Sequence, residues 1–319
     1  PPPRRLHPRR CWLRRMMQCP QLASSHCVAQ HLGSPPPPRR MPPRLCSIVL
    51  AAHGSTATEH CNDPLHDMAA AILQRQEERS ATSPDLWIEK ITPAFLQGEP
   101  QMTEVLESLP EGDVIVIPVM TSDGYYLRKL PEKFASNRNA GKFKFHLSSV
   151  FGMHAMIADE MKLLVTHHLS SFHLKPEETT VVVIGHGTRR NQTSGESTYR
   201  LVNTLAGQFP GLKCLAGFLD QDPTAENIAT EITTPNTIIL PFLISRGPHT
   251  TEDVPQAFHL NTGTDPLFPY IHQSDSRFLI YEKPLAMYSN AVDICFDLAI
   301  ETLNISQPVN LISHGELSL

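Results

Sequence analysis

Three side chains carry the chemistry most legibly: His186, Asp220 and His249. His186 closes the apolar, β-branched run of TVVVIGHGT (180–188). Asp220 lies in CLAGFLDQDP (214–223), and His249 in PFLISRGPHTTEDVP (241–255). Each follows an apolar run of strand length. Two imidazoles and a carboxylate suit a borderline divalent metal such as iron, cobalt, nickel or zinc. The same trio suits acid/base work in which the carboxylate orients an imidazole. The residues alone leave both readings open. Gly185 and Gly187 flank His186, so the backbone can come close to a ligand there. Arg189, Arg190 and Arg246 belong to the same set of strand ends, and guanidinium forks suit carboxylates. The plainer readings stand beside these. An aspartate after a strand, such as Asp220, can cap the next helix. Asp253, ahead of Val254-Pro255, reads as a helix N-cap rather than a ligand. His60, His66, His167, His168 and His173 read as solvated.

The elements that must position the trio occur twice. SIVLAAHGS (47–55) matches TVVVIGHGT, and ITPAFLQGEP (91–100) matches CLAGFLDQDP. DVIVIPVM (113–120) matches NTIILPFL (236–243), and PVMTSDGYYLRKLP (118–131) matches PFLISRGPHTTEDVP. FHLSSVFGMHAMIAD (145–159) loosely matches FLIYEKPLAMYSNAVD (278–293). Pro100 and Pro223, Pro118 and Pro241, and Gly124 and Gly247 share one offset, as a single duplication requires; a solenoid would need more and shorter copies. Where the second copy has His186, Asp220 and His249, the first has His53, Gln97 and Tyr126. The first copy therefore keeps the fold pattern and loses most of the chemistry, leaving His53, Gln97 and Tyr126 as a possible relic site.

Apolar β-branched runs of this length read as buried strands of a parallel sheet. Helical patterns lie between them: 65–79 and 197–209 after the His-Gly strands, 102–109 and 225–232 after the second strands, and 155–169 and 290–303 after the fourth. The expected fold is α/β, with two related βαβα-type halves, each a four-stranded parallel sheet flanked by helices. The expected division is a leader (1–44), a first half with a degenerate site (45–175), a second half with the active site (176–304) and a tail (305–319). The polar run KPEETT (175–180) marks the seam. In open α/β sheets, ligands bind beyond the carboxyl ends of the strands, where all six site positions fall.

The 319-residue chain is 40% hydrophobic and 18% charged, which suits a globular protein of two domains or one large one, and no apolar run approaches membrane-span length. Residues 1–44 hold nine arginines, no lysine, no acid and a PPPP run, so they read as a disordered leader with Met41 as an alternative start. Because the whole chain carries −5, the remainder carries about −14. Such a body is a poor nucleic-acid binder, and an anionic ligand needs a local basic patch. Seven scattered cysteines without a CxxC pair signal neither a structural zinc site nor a cluster, and a reducing, cytoplasmic setting is the simpler reading.

VVVIGHGTRR, FLDQDP and LPFLISRGPHTTEDVP together resemble the CbiX-type sirohydrochlorin chelatases, class II tetrapyrrole chelatases that need no ATP. The likeness runs from about Ser47 to Leu303, clear in the second half and degenerate in the first. It implies insertion of Co²⁺ or Fe²⁺ into sirohydrochlorin, in cobalamin or siroheme biosynthesis. The metal is then a substrate, with no cofactor permanently bound. By the resemblance, His186 and His249 handle the metal and Asp220 assists, while Arg189, Arg246 and the Gly187 backbone meet the substrate. It also implies a pseudo-two-fold arrangement with a cleft between halves, in a monomer or homodimer without nucleic-acid or membrane partners. The main alternative is a non-catalytic metal or tetrapyrrole carrier of the same fold. A His-Gly phosphoesterase would want arginine before the histidine, where Gly185 and Ala52 stand. A dinucleotide enzyme would want GxGxxG after the first strand.

Overall fold

The computed structural model describes residues 44–56, 61–80, 86–136, 139–189, 192–263, 266–274 and 276–305. The leader and tail expectations fall almost wholly outside these residues, as do Arg190 and His60. The first half contains β1 (Arg44–Ala52), α1 (Asp63–Ser80), β2 (Leu86–Phe95), β3 (Gly112–Pro118), α2 (Tyr125–Ala135), β4 (Phe143–Leu147) and α3 (Ala155–Ser171). The second contains β5 (Thr179–Gly185), α4 (Glu196–Gln208), β6 (Lys213–Phe218), α5 (Ala225–Glu231), β7 (Asn236–Phe242), α6 (Val254–Ala257), β8 (Tyr270–Gln273), β9 (Phe278–Tyr281) and α7 (Ala291–Ile305).

The first sheet is parallel throughout, in the order β2-β1-β3-β4. The second repeats that order as β6-β5-β7-β9, then adds β8 antiparallel to β9. The expectation of two all-parallel four-stranded sheets is thus corrected for the second half. Its extra strand is only four residues long, too short to give a periodic signal, and lies where the chain lengthens between α6 and β9. A second correction concerns residues 102–109. Their expected helix is one 3₁₀ turn, Val105–Ser108, with Val105 and Leu106 turned into the core.

Alternation along the strands sorts the side chains into layers. Ile48, Leu50, Ile115 and Ile117 of the first sheet and Val181, Val183, Ile238 and Leu240 of the second belong to one shared core. Val49, Ala51, Val114 and Val116 face a separate outer core, and Val182, Ile184 and Ile239 face another. Helices α1, α3, α4 and α7 fill the space between the sheets. Each buried Val, Ile or Leu side chain contributes about 1.5–3 kcal/mol of transfer free energy, so this shared layer holds the halves together.

The halves also exchange their last helices. α7, from the end of the second half, packs on β3 and β4 and against α1 of the first. α3, from the end of the first half, packs on α4, and Phe172 just beyond it meets Phe278 of β9 at a ring-centroid distance of 5.1 Å. The repeats are contiguous in sequence, yet neither is closed in space. His168 is the sharpest correction to the sequence reading. It is 2% exposed on α3, and its Nε2 lies 2.6 Å from Glu282 Oε1, itself buried just past β9.

Candidate active site

Within each sheet, the loops after the two central strands leave in opposite directions, which opens a crevice at their carboxyl ends. Those strands are β1 and β3 in the first sheet, and β5 and β7 in the second. His53 and His186 directly follow β1 and β5. Tyr126 lies in the first turn of α2 after β3, and His249 opens a single π-helical turn (His249–Asp253) after β7.

The repeat is exact in its backbone bonding at this point. Gln97 N donates to His53 O at 2.8 Å, and Asp220 N donates to His186 O at 2.9 Å. Gly54 and Gly187 both take positive φ, 71° and 68°. A side chain at Gly187 would meet Gln221 Cβ at 2.6 Å, so this glycine is dictated by packing as well as by its left-handed turn. The rings pair likewise: His53 and Tyr126 at a centroid distance of 4.5 Å, His186 and His249 edge-to-face at 4.9 Å.

Hydrogen bonds orient the second-half imidazoles. His186 Nδ1 lies 2.9 Å from the Gly187 carbonyl, which can only accept, so the proton is assigned to Nδ1 and the Nε2 lone pair is left available. His249 Nδ1 lies 2.6 Å from Asp253 Oδ2, which assigns its proton the same way. Two neutral imidazoles with free Nε2 lone pairs can each take a metal or a proton. Both rings are about half exposed, His186 at 47% and His249 at 49%, so a ligand can reach them.

Asp253 is the candidate site residue that sequence reasoning set aside. No side-chain capping bond forms at Asp253. Its carboxylate turns back onto His249, one helical turn earlier. The i, i+4 spacing was the available signal, and it carries meaning only once 249–253 is known to be helical. Asp220, expected either to assist the metal or to orient a histidine, stands farther off: its Oδ2 lies 3.6 Å from His186 Nδ1, beyond a direct hydrogen bond. Nor does it cap α5, because Thr224 Oγ1 accepts from Asn227 N there. Among the described residues, no group of three or more His, Cys, Asp and Glu side chains is arranged to hold a metal ion. The trio is gathered at one strand-end rim but does not form a three-donor cage.

The arginines divide. Arg246 Nη2 donates to the Pro266 carbonyl at 2.7 Å, and its guanidinium lies 5.8 Å from the Phe268 ring centroid, so it is committed to the 266–268 loop. Arg189 stands exposed just after the His-Gly turn. Across the rim, burial first and then the neighbouring charge of His186 push the His53 pKa down. A methyl group at Gly247 would come within 3.9 Å of Cys61 Sγ. The strand-end rims of the two halves therefore face each other, with His53 on the side opposite His186. The Gln97 side chain and the Tyr126 ring are exposed.

The CbiX family model matches this chain twice, over residues 47–166 and 180–301. The chain belongs to the CbiX family. The duplication read from the sequence is that family's domain present in two copies. A probable sirohydrochlorin cobaltochelatase of Halobacterium salinarum is 24% identical over 234 residues, covering 66% of this chain and 75% of the archaeal one. A multi-domain Deinococcus radiodurans protein with structural similarity to chelatases superposes with a TM-score of 0.61 at 19% identity, over 81% of this chain but 55% of its own length. CbiX described as the terminal enzyme for biosynthesis of siroheme in denitrifying bacteria gives a TM-score of 0.58 at 17% identity, covering 80% of this chain and 98% of that one. At these identities, the solved structures establish the α/β chelatase-like fold.

Proposed function

We propose that this CbiX protein is a sirohydrochlorin chelatase that inserts Co²⁺ or Fe²⁺ without ATP, using a site in its second half. The observation that carries the reading is the His186–His249 pair, 4.9 Å between ring centroids, with each Nδ1 hydrogen-bonded and each Nε2 available. Insertion requires the incoming ion to exchange its waters for pyrrole nitrogens and requires two pyrrole N–H protons to depart. One imidazole takes the ion as it sheds water, and the other accepts a proton from the macrocycle. Asp253 holds His249 in the tautomer suited to either task. Asp220, exposed beside His186, receives protons or attracts the cation. Arg189 is the candidate clamp for the macrocycle's carboxylates, supplying local positive charge on an acidic body. The cobaltochelatase name of the archaeal relative and the siroheme description of the structural one support both metals. Imidazoles accept either ion, so supply decides between them. A reducing compartment such as the cytoplasm is the setting that fits this reading, and no described helix is long and apolar enough to cross a membrane.

The test is anaerobic absorbance of sirohydrochlorin mixed with Co²⁺ or Fe²⁺. Wild type should convert it well above the spontaneous rate, and a His186→Ala/His249→Ala double variant should not. Tight binding without accelerated conversion would replace the enzyme with a tetrapyrrole or metal carrier.

A further inference from the structure

The first half keeps no equivalent of His249 or Asp220, yet the structure ties it to the His249 turn. β9 ends at Tyr281, and Tyr281 and the next residue, Glu282, make their contacts on opposite faces of the sheet. Tyr281 is fully buried on the outer face, and its hydroxyl donates to the Thr250 carbonyl at 2.8 Å. Thr250 is the residue after His249 and is itself fully buried. Its hydroxyl lies 3.0 Å from both Gly247 N and Gly247 O, and the Thr250 and Thr251 amides donate to Gly247 O at 2.8 and 2.9 Å. The turn that presents His249 is thus built around Thr250 and fastened from beneath by one phenol. Burial pushes the Tyr281 pKa up, so this phenol remains a donor. Glu282 turns to the inner face. It lies 2.6 Å from His168 on the exchanged helix α3, and its Oε2 accepts from Lys283 N at 3.1 Å.

We infer that Tyr281 and Glu282 form a strap: Tyr281 holds the His249 turn, and Glu282 anchors the same strand end to the first half through His168. The degenerate half is then a positioning element for the second half's site. Both are positioning residues, because neither touches the reacting groups. The inference rests on His249 serving metal insertion, and its test separates the two claims.

The variants are Tyr281→Phe and Glu282→Gln in the full chain. The readout independent of activity is native-state amide hydrogen exchange at Thr250 and Thr251. Exchange there should rise about tenfold in Tyr281→Phe and about threefold in Glu282→Gln, while amides in β5 and β7 stay protected. With Co²⁺ and sirohydrochlorin, kcat should fall about tenfold in Tyr281→Phe, with KM for the macrocycle within about twofold, since orientation of the reacting group changes and not macrocycle binding. Should Glu282→Gln not fold, His168→Leu, which removes the link from the first-half side, takes its place: exchange at Thr250 and Thr251 should rise about threefold, and unchanged exchange would overturn the link. Unchanged exchange in Tyr281→Phe would overturn the strap whatever the activity. Faster exchange with unchanged kcat would overturn its positioning role. Unchanged exchange and kcat in a folded Glu282→Gln would overturn the link to the first half. A wild type that inserts no metal would sink the functional reading instead, leaving exchange to decide the strap.

Discussion

Replacing Asp253 should damage activity more than replacing Asp220, although sequence reasoning ranked them the other way. Asp253 Oδ2 sits 2.6 Å from His249 Nδ1, with the two side chains 48% and 49% exposed. An ion-assisted bond in that setting is screened, so its stability contribution is about 1 kcal/mol or less. Its effect on rate is larger, because the bond fixes which nitrogen holds the lone pair and where the ring points. Loss of such an orienting partner costs about 10–100-fold in metal affinity or activity. Tenfold in rate corresponds to about 1.4 kcal/mol of barrier. Asp253→Ala should therefore lower kcat for metal insertion by at least about tenfold and leave the fold intact. Asp220→Ala should change kcat by less than about threefold, because Gly187 O at 2.9 Å already orients His186 while Asp220 stands at 3.6 Å. The assay is the initial rate of anaerobic absorbance change with sirohydrochlorin and Co²⁺, alongside thermal melts of each variant. A folded Asp253→Ala protein with kcat within twofold of wild type would refute the assignment. So would a larger loss from Asp220→Ala.

Two further outcomes follow from packing and from charge. A Cβ at Gly185 would lie 2.3 Å from Thr198 Oγ1 and 3.3 Å from Phe218 Cδ1, so Gly185→Ala should destabilise by about 1–3 kcal/mol, read as a lowered thermal midpoint. An unchanged melt would mean that Thr198 moves aside freely. At the opposite end of the first sheet, Asp113 bonds Arg44 Nε at 3.2 Å and His146 Nε2 at 2.7 Å. Burial is the largest influence and pushes the Asp113 carboxyl up, but the bonds and charges of Arg44 and His146 together outweigh it and hold the pKa below the usual carboxylate range. Its contribution is therefore fully present above the unfolded value of about 3.9 and is lost as pH falls through the lower folded value. Asp113→Asn should melt below wild type at neutral pH, with the gap closing under about pH 4; a gap that is constant with pH would refute this.

What the sequence determined by itself was what depends on local pattern. Apolar runs announced eight of the strands, a shared offset announced the duplication, and strand-end histidines announced the rim, because buried parallel strands and their carboxyl-end loops leave signatures within a few residues. The pairing of His186 with His249 followed from topology once the order of strands was granted. Tertiary structure alone decided what depends on distant partners. Apolar faces on α3 and α7 do not say where they pack, and each packs against the other half: α7 on β3 and β4, α3 on α4. His168 reads as a solvent histidine until α3 crosses to Glu282. Arg246 reads as a substrate clamp, and only the folded chain shows that its guanidinium also meets Pro266 O and the Phe268 ring. Asp253 reads as a cap until the π-helical turn brings it back onto His249. A side chain's type fixes which bonds it can make, but the choice among those bonds is made by whatever the folded chain places within about 3 Å of it.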